Sequence, residues 1–391
     1  MGAIEKRGKN SYRLIAYVGK DENGKKVYEK KTVKAPTKKL AEKLLIEFEN
    51  SILNGSYVTP STMKLKDFLE NEWTKKYAEQ ELSKTTMQDY IQDINKRLIP
   101  RYGHYKIGTI KTIHMLNLMN DIKSEISKQT GKKLSESTVR NHHNAFTNLF
   151  DRAVEWGFIK ENPMSNLKRP TVKLKKAEAY TPAEMDKILM LLDAEDMDFK
   201  IKVRYHLAFV TGSRAGEVAA FEVSHVDFER GGIWRVQNRQ AIRGQGTLTK
   251  ESTKNDQDSF IMLPEYVIDM LKELIQQIDD ERDVVGDMWV GGDNDFLFRS
   301  PIGVGYSPHS IGNHWRRFQK RHQDEIRYLS FHKFRHSSAS YLISLGRHPK
   351  IIQQLLGHKD IRTTMNIYAH VFDEQKEETA SSFNRYKPEE K

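Results

Sequence analysis

Residues 329–370 read LSFHKFRHSSASYLISLGRHPKIIQQLLGHKDIRTTMNIYAH. The helix signals in this stretch set the positions of four polar residues: His332, Arg335, His358 and Tyr368. His332 and Arg335 are three apart, a spacing that puts two side chains on one helical face. Gly346 predicts the end of that helix. Pro349 stands where the next helix starts, at a position that tolerates a missing N–H. Gly357 ends this second helix and leaves His358 at an exposed corner. Asp360 is suited to cap a third, on which Tyr368 lies. Successive short helices therefore bring two imidazoles, a guanidinium and a phenol toward one point, a combination that suits a phosphate.

A second cluster lies upstream at Thr211-Gly212-Ser213-Arg214-Ala215-Gly216-Glu217. Phe199–Val210 reads as a buried helix that Thr211-Gly212 breaks. Ser213 is the expected cap of the next helix. That places Arg214 at a helix N-terminus, where free N–H groups and the dipole also favour an anion. Glu217 is read as holding the loop by bonding back to backbone N–H groups, not as a base.

H-x-x-R, then L-G-H, then a tyrosine ten residues on, preceded by T-G-x-R-x-x-E, resembles the signature of the tyrosine recombinases, or phage-type integrases. The resemblance covers residues 60–375 and is similar to integrases of conjugative transposons and temperate phages of Gram-positive bacteria. Cleaving a phosphodiester without metal calls for a nucleophile, positive charge about the phosphorane, a proton acceptor and a donor to the leaving 5′-oxygen. Arg214 and Arg335 suit the phosphate because a guanidinium stays charged and grips two oxygens. The resemblance implies Tyr368 as the nucleophile, through a covalent 3′-phosphotyrosine. It implies His358 as a hydrogen-bond donor to a non-bridging oxygen and His332 as the base for the tyrosine proton. It also implies a lysine acid on a turn between two strands, and Lys254 takes that place. From Lys254, KNDQDSFIML resembles the family's K-T-…-I-x-L frame, with Asn255 where Thr is usual and Phe260 where Arg is common. Lys250, in TLTKEST, is the alternative.

Each of these residues has a plainer role to be weighed. A lone tyrosine is usually core or a surface hydrogen-bonder; its place after Leu356-Gly357-His358 singles out Tyr368. His332 and His336, four apart, share a face that would suit a metal. No glutamate completes H-E-x-x-H and no third ligand is evident, so His336 is read as packing beside the site. No Walker loop, dinucleotide fingerprint or acidic metal triad is present, and no cofactor is expected.

Composition narrows the partner. Sixty-four Lys and Arg against 53 Asp and Glu leave a net charge of +11 on 391 residues. Such a balance favours a polyanion, and nucleic acid is the commonest. The absence of cysteine removes disulfides, thiolate metal sites and a cysteine nucleophile, and fits a cytoplasmic protein; the resemblance implies one that is nucleoid-associated in a bacterial host. No apolar run reaches membrane-span length, and MGAIEKRGKN lacks the apolar segment of a secretion signal.

The chain reads as multidomain, mainly α with small β elements. Residues 1–58 predict a three-stranded sheet plus a helix, with Tyr12, Leu14, Ala16 and Val18 alternating and Asn23-Gly24 marking a hairpin. Thr37 is the expected cap of the helix carrying Leu40, Leu44, Leu45 and Phe48. The first 60 residues hold 13 Lys or Arg against 7 Asp or Glu, which suits a DNA-binding sheet; the resemblance implies an arm-type DNA-binding domain. Residues 64–165 read as a helical bundle, one helix of which starts at Ser83 and ends at Pro100; the resemblance implies a core-binding domain. Lys84, Lys96, Arg97, Arg101, Lys106 and Lys111 are candidate phosphate contacts there. Residues 166–180 read as a basic linker, and Thr181-Pro182-Ala183-Glu184 is a capping box opening an α+β catalytic domain over 181–391. Gly231–Arg243 and Phe260–Leu263 read as strands, with the polar Lys250–Ser259 as the turn between them.

The resulting expectation is a site-specific recombinase that integrates or excises a mobile element through a Holliday junction. Its implied partners are double-stranded DNA at core and arm sites, a homotetramer on that DNA, a directionality factor and a host DNA-bending protein. Two other readings use the same residues: a type IB topoisomerase-like enzyme that nicks and reseals alone, and a DNA-binding regulator without catalysis.

Overall fold

In a computed structural model the chain divides into two compact units, Met1–Leu174 and Lys175–Lys391. The structure describes residues 2–20, 23–53, 62–172, 178–251, 259–292, 294–365, 381 and 383. Lys254 and Tyr368 lie outside them.

The first unit opens with β1 (Ala3–Gly8), β2 (Ser11–Lys20) and β3 (Lys26–Lys34), an antiparallel sheet in that order. Tyr12, Leu14 and Ala16 of β2 alternate inward, as a strand buried on one face must. Helix α1 (Lys38–Leu53) covers that face with Ala41 and Phe48. Thr37 Oγ1 accepts the Leu40 N–H at 3.3 Å, as its capping role requires. Lys26, Lys30, Lys31 and Lys34 are carried by β3, whose residues are mostly exposed.

Later in the same unit comes a helical bundle around Phe68, Trp73, Ile94, Leu98, Phe146 and Phe150. Ser83 and Ser135 cap Lys84–Asp93 and Glu136–Glu155, each accepting a backbone N–H three residues on. One expectation fails here. The helix does not end at Pro100 but runs on through Ile99–Tyr102. The turn before it, Ile94–Leu98, is wound as a π-helix, a local change of hydrogen-bond register that accommodates a proline. Two of the candidate phosphate contacts are engaged within the bundle: Arg97 grips Glu125, with Nη2 to Oε1 at 2.7 Å, and Arg101 pairs with Asp121.

The second unit begins where the capping box predicts. Thr181 N–H donates to Glu184 Oε2 at 2.7 Å and Glu184 N–H to Thr181 Oγ1 at 3.2 Å. Helices α2 (Pro182–Ala194), α3 (Phe199–Thr211) and the short α4 (Ala215–Val218) precede a sheet of β4 (Val226–Asp227), β5 (Gly232–Arg235) and β8 (Ser259–Met262). Here the strand expectation is corrected. The segment read as one strand breaks at Val236, and β6 (Gln237–Ile242) turns back on β7 (Gly246–Glu251) as a separate hairpin. Lys250 therefore lies on β7, opposite Asn238, and not in a turn. Helices α5 (Glu265–Val285), α6 (Pro308–Arg321), α7 (Lys333–Ser344) and α8 (Pro349–Leu356) complete the described elements used below.

The core of this unit is aromatic. Tyr205 of α3, Trp315 of α6, and Phe331 and Phe334 at the start of α7 interlock with ring centroids 4.7–6.0 Å apart. The Trp315 indole N–H donates to the Leu329 carbonyl at 2.8 Å, so the buried ring keeps its polar edge satisfied. This cluster fixes the N-terminus of α7, and with it the residues that follow Phe334.

Candidate active site

Arg335 sits next to the buried Phe334 and is itself only 2 % exposed. Its Nη1 donates to the Gly212 carbonyl at 2.8 Å and its Nη2 to the Leu356 carbonyl. Both carbonyls belong to helix C-termini, those of α3 and α8, where backbone oxygens have no intrahelical partner. The guanidinium thus ties three helices together. Burial and then the nearby Arg214 push its pKa down to about 9, with Glu217 opposing, so it stays charged near neutrality.

Arg214 is held differently. It is the N-cap of α4, and Glu217, three residues on, reaches back to it. Glu217 Oε2 accepts the Arg214 N–H at 2.8 Å and Oε1 accepts Nη1 at 2.7 Å. Glu217 therefore bonds back to the loop as its spacing predicts, while the expected cap, Ser213, is displaced by one residue. The Ser213 hydroxyl is buried with no partner among the described residues, and its N–H donates to Thr211 Oγ1 at 3.2 Å. The Arg214 side chain is 48 % exposed, so of the two guanidiniums one is locked inside and the other faces solvent.

The Leu356-Gly357-His358 corner is shaped by its glycine. Gly357 has φ +62°, the left-handed conformation that ends a helix without penalty only in glycine. Gln353 then fixes the histidine's backbone from both sides: its carbonyl accepts the His358 N–H at 3.1 Å and its Nε2 donates to the His358 carbonyl at 2.8 Å. His358 Nδ1 meets the buried Thr364 hydroxyl at 2.9 Å, leaving Nε2 for another partner. Burial, then Arg335 and Arg214, lower the His358 pKa to about 4, so the ring is neutral at pH 7. At Asp360 the carboxylate accepts the Arg362 N–H at 2.9 Å and starts the helical residues 361–365.

His332 precedes α7 as its N-cap residue, and its ring lies edge-on to His336 with centroids 5.1 Å apart. Partial withdrawal from water, then Arg335 and Arg214, hold its pKa below the usual imidazole value. His336 is pushed to about 4 by burial and by His332, and its Nδ1 has no partner among the described residues.

Four of the six predicted residues, Arg214, His332, Arg335 and His358, are thus electrostatic neighbours in one place. Lys254 and Tyr368 fall outside the described residues. The alternative lysine, Lys250, is exposed on β7. Three residues outside the predicted set join the cluster: Gln353, Thr364 and Arg235 of β5, which lies beneath Gly357 and is 9 % exposed. For Gln353 the signal was its place within hydrogen-bonding reach of a helix end; an arginine inside a short strand carries no such signal.

Comparison with known proteins bears on the whole arrangement. The family model described as the phage integrase family matches residues 178–375, and that of the phage integrase N-terminal SAM-like domain matches residues 64–123. A tyrosine recombinase XerC-like protein of Caldanaerobacter subterraneus subsp. tengcongensis is 27 % identical over 402 residues, covering 97 % of each chain. Among solved structures, the Tn1549 transposon integrase in complex with a circular intermediate DNA has a TM-score of 0.66 at 20 % identity, covering 82 % of this chain and 99 % of its own. A lambda integrase tetramer bound to a Holliday junction has a TM-score of 0.53 at 16 % identity, covering 93 % and 94 %. Since the first model alone takes in half of the chain, including both arginines and both corner residues, the chain belongs to the phage integrase family of tyrosine recombinases.

Proposed function

We propose that the chain is a site-specific DNA recombinase that integrates or excises a mobile element, and that Arg214, Arg335, His332 and His358 form its phosphate site, completed by Tyr368 and Lys254. The observation that carries this reading is the pairing of a buried guanidinium, fixed by two helix-end carbonyls, with an exposed one fixed by Glu217. Charge held in place before the substrate arrives is what stabilises a phosphorane without reorganisation. His358, neutral at pH 7 and held at Nδ1 by Thr364, donates from Nε2 to a non-bridging oxygen. His332, also neutral, accepts the proton of the attacking phenol. The Tyr368 oxygen forms a bond to phosphorus as the bond to the 5′-oxygen breaks, and Lys254 protonates that oxygen. Attack by another strand's 5′-hydroxyl reverses the step, so no external energy source is required.

The wider assembly follows the same reading. The sheet and helix of residues 1–58 bind arm sites, residues 64–165 clamp the core site, 166–180 link them, and 181–391 cut. Two of the similar solved structures are complexes with DNA, one of them a tetramer on a Holliday junction. This supports a homotetramer here, with a directionality factor and a host DNA-bending protein as further partners. No helix among the described residues is long and apolar enough to cross a membrane. With the DNA-acting family this favours a cytoplasmic, nucleoid-associated protein.

A strand-exchange assay with two labelled attachment-site duplexes tests the function. Recombinant products from the wild type, and none from Tyr368→Phe, are expected. Nicking and resealing without exchange favours the topoisomerase-like alternative. Tight binding without cleavage favours the regulator.

A further inference from the structure

Arg235 is the one guanidinium of the cluster that the reading above leaves without a task. It lies on β5, and its side chain is 7 % exposed. Its Nη2 abuts the corner that presents His358: a Cβ built on Gly357 would stand 2.8 Å from it. Its Nη1 lies 4.0 Å from Glu217 Oε2, an ion-pair distance too long for a hydrogen bond, and finds no hydrogen-bond partner among the described residues. Arg335 nearby has Nη1 and Nη2 on backbone carbonyls. Burying a guanidinium with an idle N–H is costly unless an anion or acceptor meets it.

The charges point the same way. Arg214, Arg235 and Arg335 all interact with the single carboxylate of Glu217, and Arg214 and Arg235 both act on Arg335. One negative charge does not balance three positive ones. The surplus is what a bound phosphodiester neutralises. Gly357 is required chiefly by its φ of +62°; a Cβ there would also have to displace the Arg235 guanidinium that packs against it.

We propose that Arg235 is a positioning residue of the phosphate site, seating the Gly357–His358 corner from beneath and supplying buried positive charge that the scissile phosphate neutralises. The inference rests on the phosphate-site reading above. It acts through His358 and Glu217. Its loss slows cleavage and leaves DNA binding in place.

Arg235→Lys and Arg235→Met test it, since the two side chains are unbranched and similar in length but differ in charge. Two readouts apply: single-turnover formation of covalent adduct on a nicked attachment-site duplex at saturating protein and pH 7, and titration of the His358 imidazole by NMR. Adduct formation at least about tenfold slower in the Met variant than in the Lys variant is expected, with DNA affinity alike in both. His358 should titrate higher in the Met variant, because removing a neighbouring cation favours the imidazolium. Should Met unfold the chain, Arg235→Gln, polar but uncharged, takes its place. Equal cleavage rates and equal His358 titration in the charged and uncharged variants would overturn the proposal and leave Arg235 as packing. A wild-type chain that binds the duplex without forming any adduct overturns instead the phosphate-site reading, and the wild-type control tells the two failures apart.

Discussion

In the proposed site Arg335 serves structure and chemistry with the same guanidinium. Its two nitrogens satisfy the helix-end carbonyls of Gly212 and Leu356, so removing it leaves both acceptors unpaired as well as emptying the phosphate site of a charge. Arg335→Lys keeps a cation but loses the fork, and adduct formation on a nicked duplex should fall by roughly 10²–10³-fold. Retained binding with that loss is the expected pattern; an undiminished rate would remove Arg335 from the phosphate. The histidines give a pH signature. His336 and His358 are held near pKa 4, below the usual imidazole value near 6.5. Between those values the unfolded chain binds protons that the folded one refuses. Their contribution to stability is therefore complete above about pH 6.5 and is lost as pH falls toward 4. The melting temperature should decline over that window, and His336→Gln should flatten part of the slope; an unchanged slope would place His336 elsewhere. Much of this was legible in the sequence, because H-x-x-R, L-G-H and T-G-x-R-x-x-E are spaced by helix geometry. Arg235 and Thr364 were not. Strand alternation says only that a residue points in or out, and a threonine six residues from a histidine gives no sign of meeting it.

At the level of elements the site depends on the start of α7 being immobile. Phe334 is fully buried among Tyr180, Tyr205, Trp315 and Phe331, one residue before Arg335. Phe334→Ala should cost about 3–5 kcal/mol of stability in denaturant unfolding. A cost well below that would mean that α7 is positioned by something other than its aromatic anchor. Helix starts were the best-read features, since Thr37, Ser83 and the Thr181–Glu184 box all bond as their sequence positions demand. Two elements were misread for physical reasons. Pro100 marks a helix end only if the backbone before it stays α-helical, and the π-wound Ile94–Leu98 evades that rule. The β6–β7 hairpin was missed because its strands are polar and partly exposed, so no period-2 apolar pattern announces them; the two glycines at its tip, Gly244 and Gly246, which take positive φ, were the available signal.

For the whole molecule, a net charge of +11 and a basic first 60 residues make DNA binding steeply salt-dependent. Deleting residues 1–58 should abolish protection of arm sites in footprinting and leave cleavage at a nicked core site intact. Loss of core cleavage as well would contradict the proposed division of labour. The central claim is that Tyr368 attacks the phosphate that the two arginines hold. Its most direct measurement is a suicide-substrate assay in EDTA: an attachment-site duplex nicked near the cleavage point, incubated with the wild-type chain and with Tyr368→Phe, and resolved under denaturing conditions. The account predicts a covalent protein–DNA band from the wild type and none from the variant, which still binds. A covalent band from Tyr368→Phe, or none from a wild type that binds the site tightly, would contradict it.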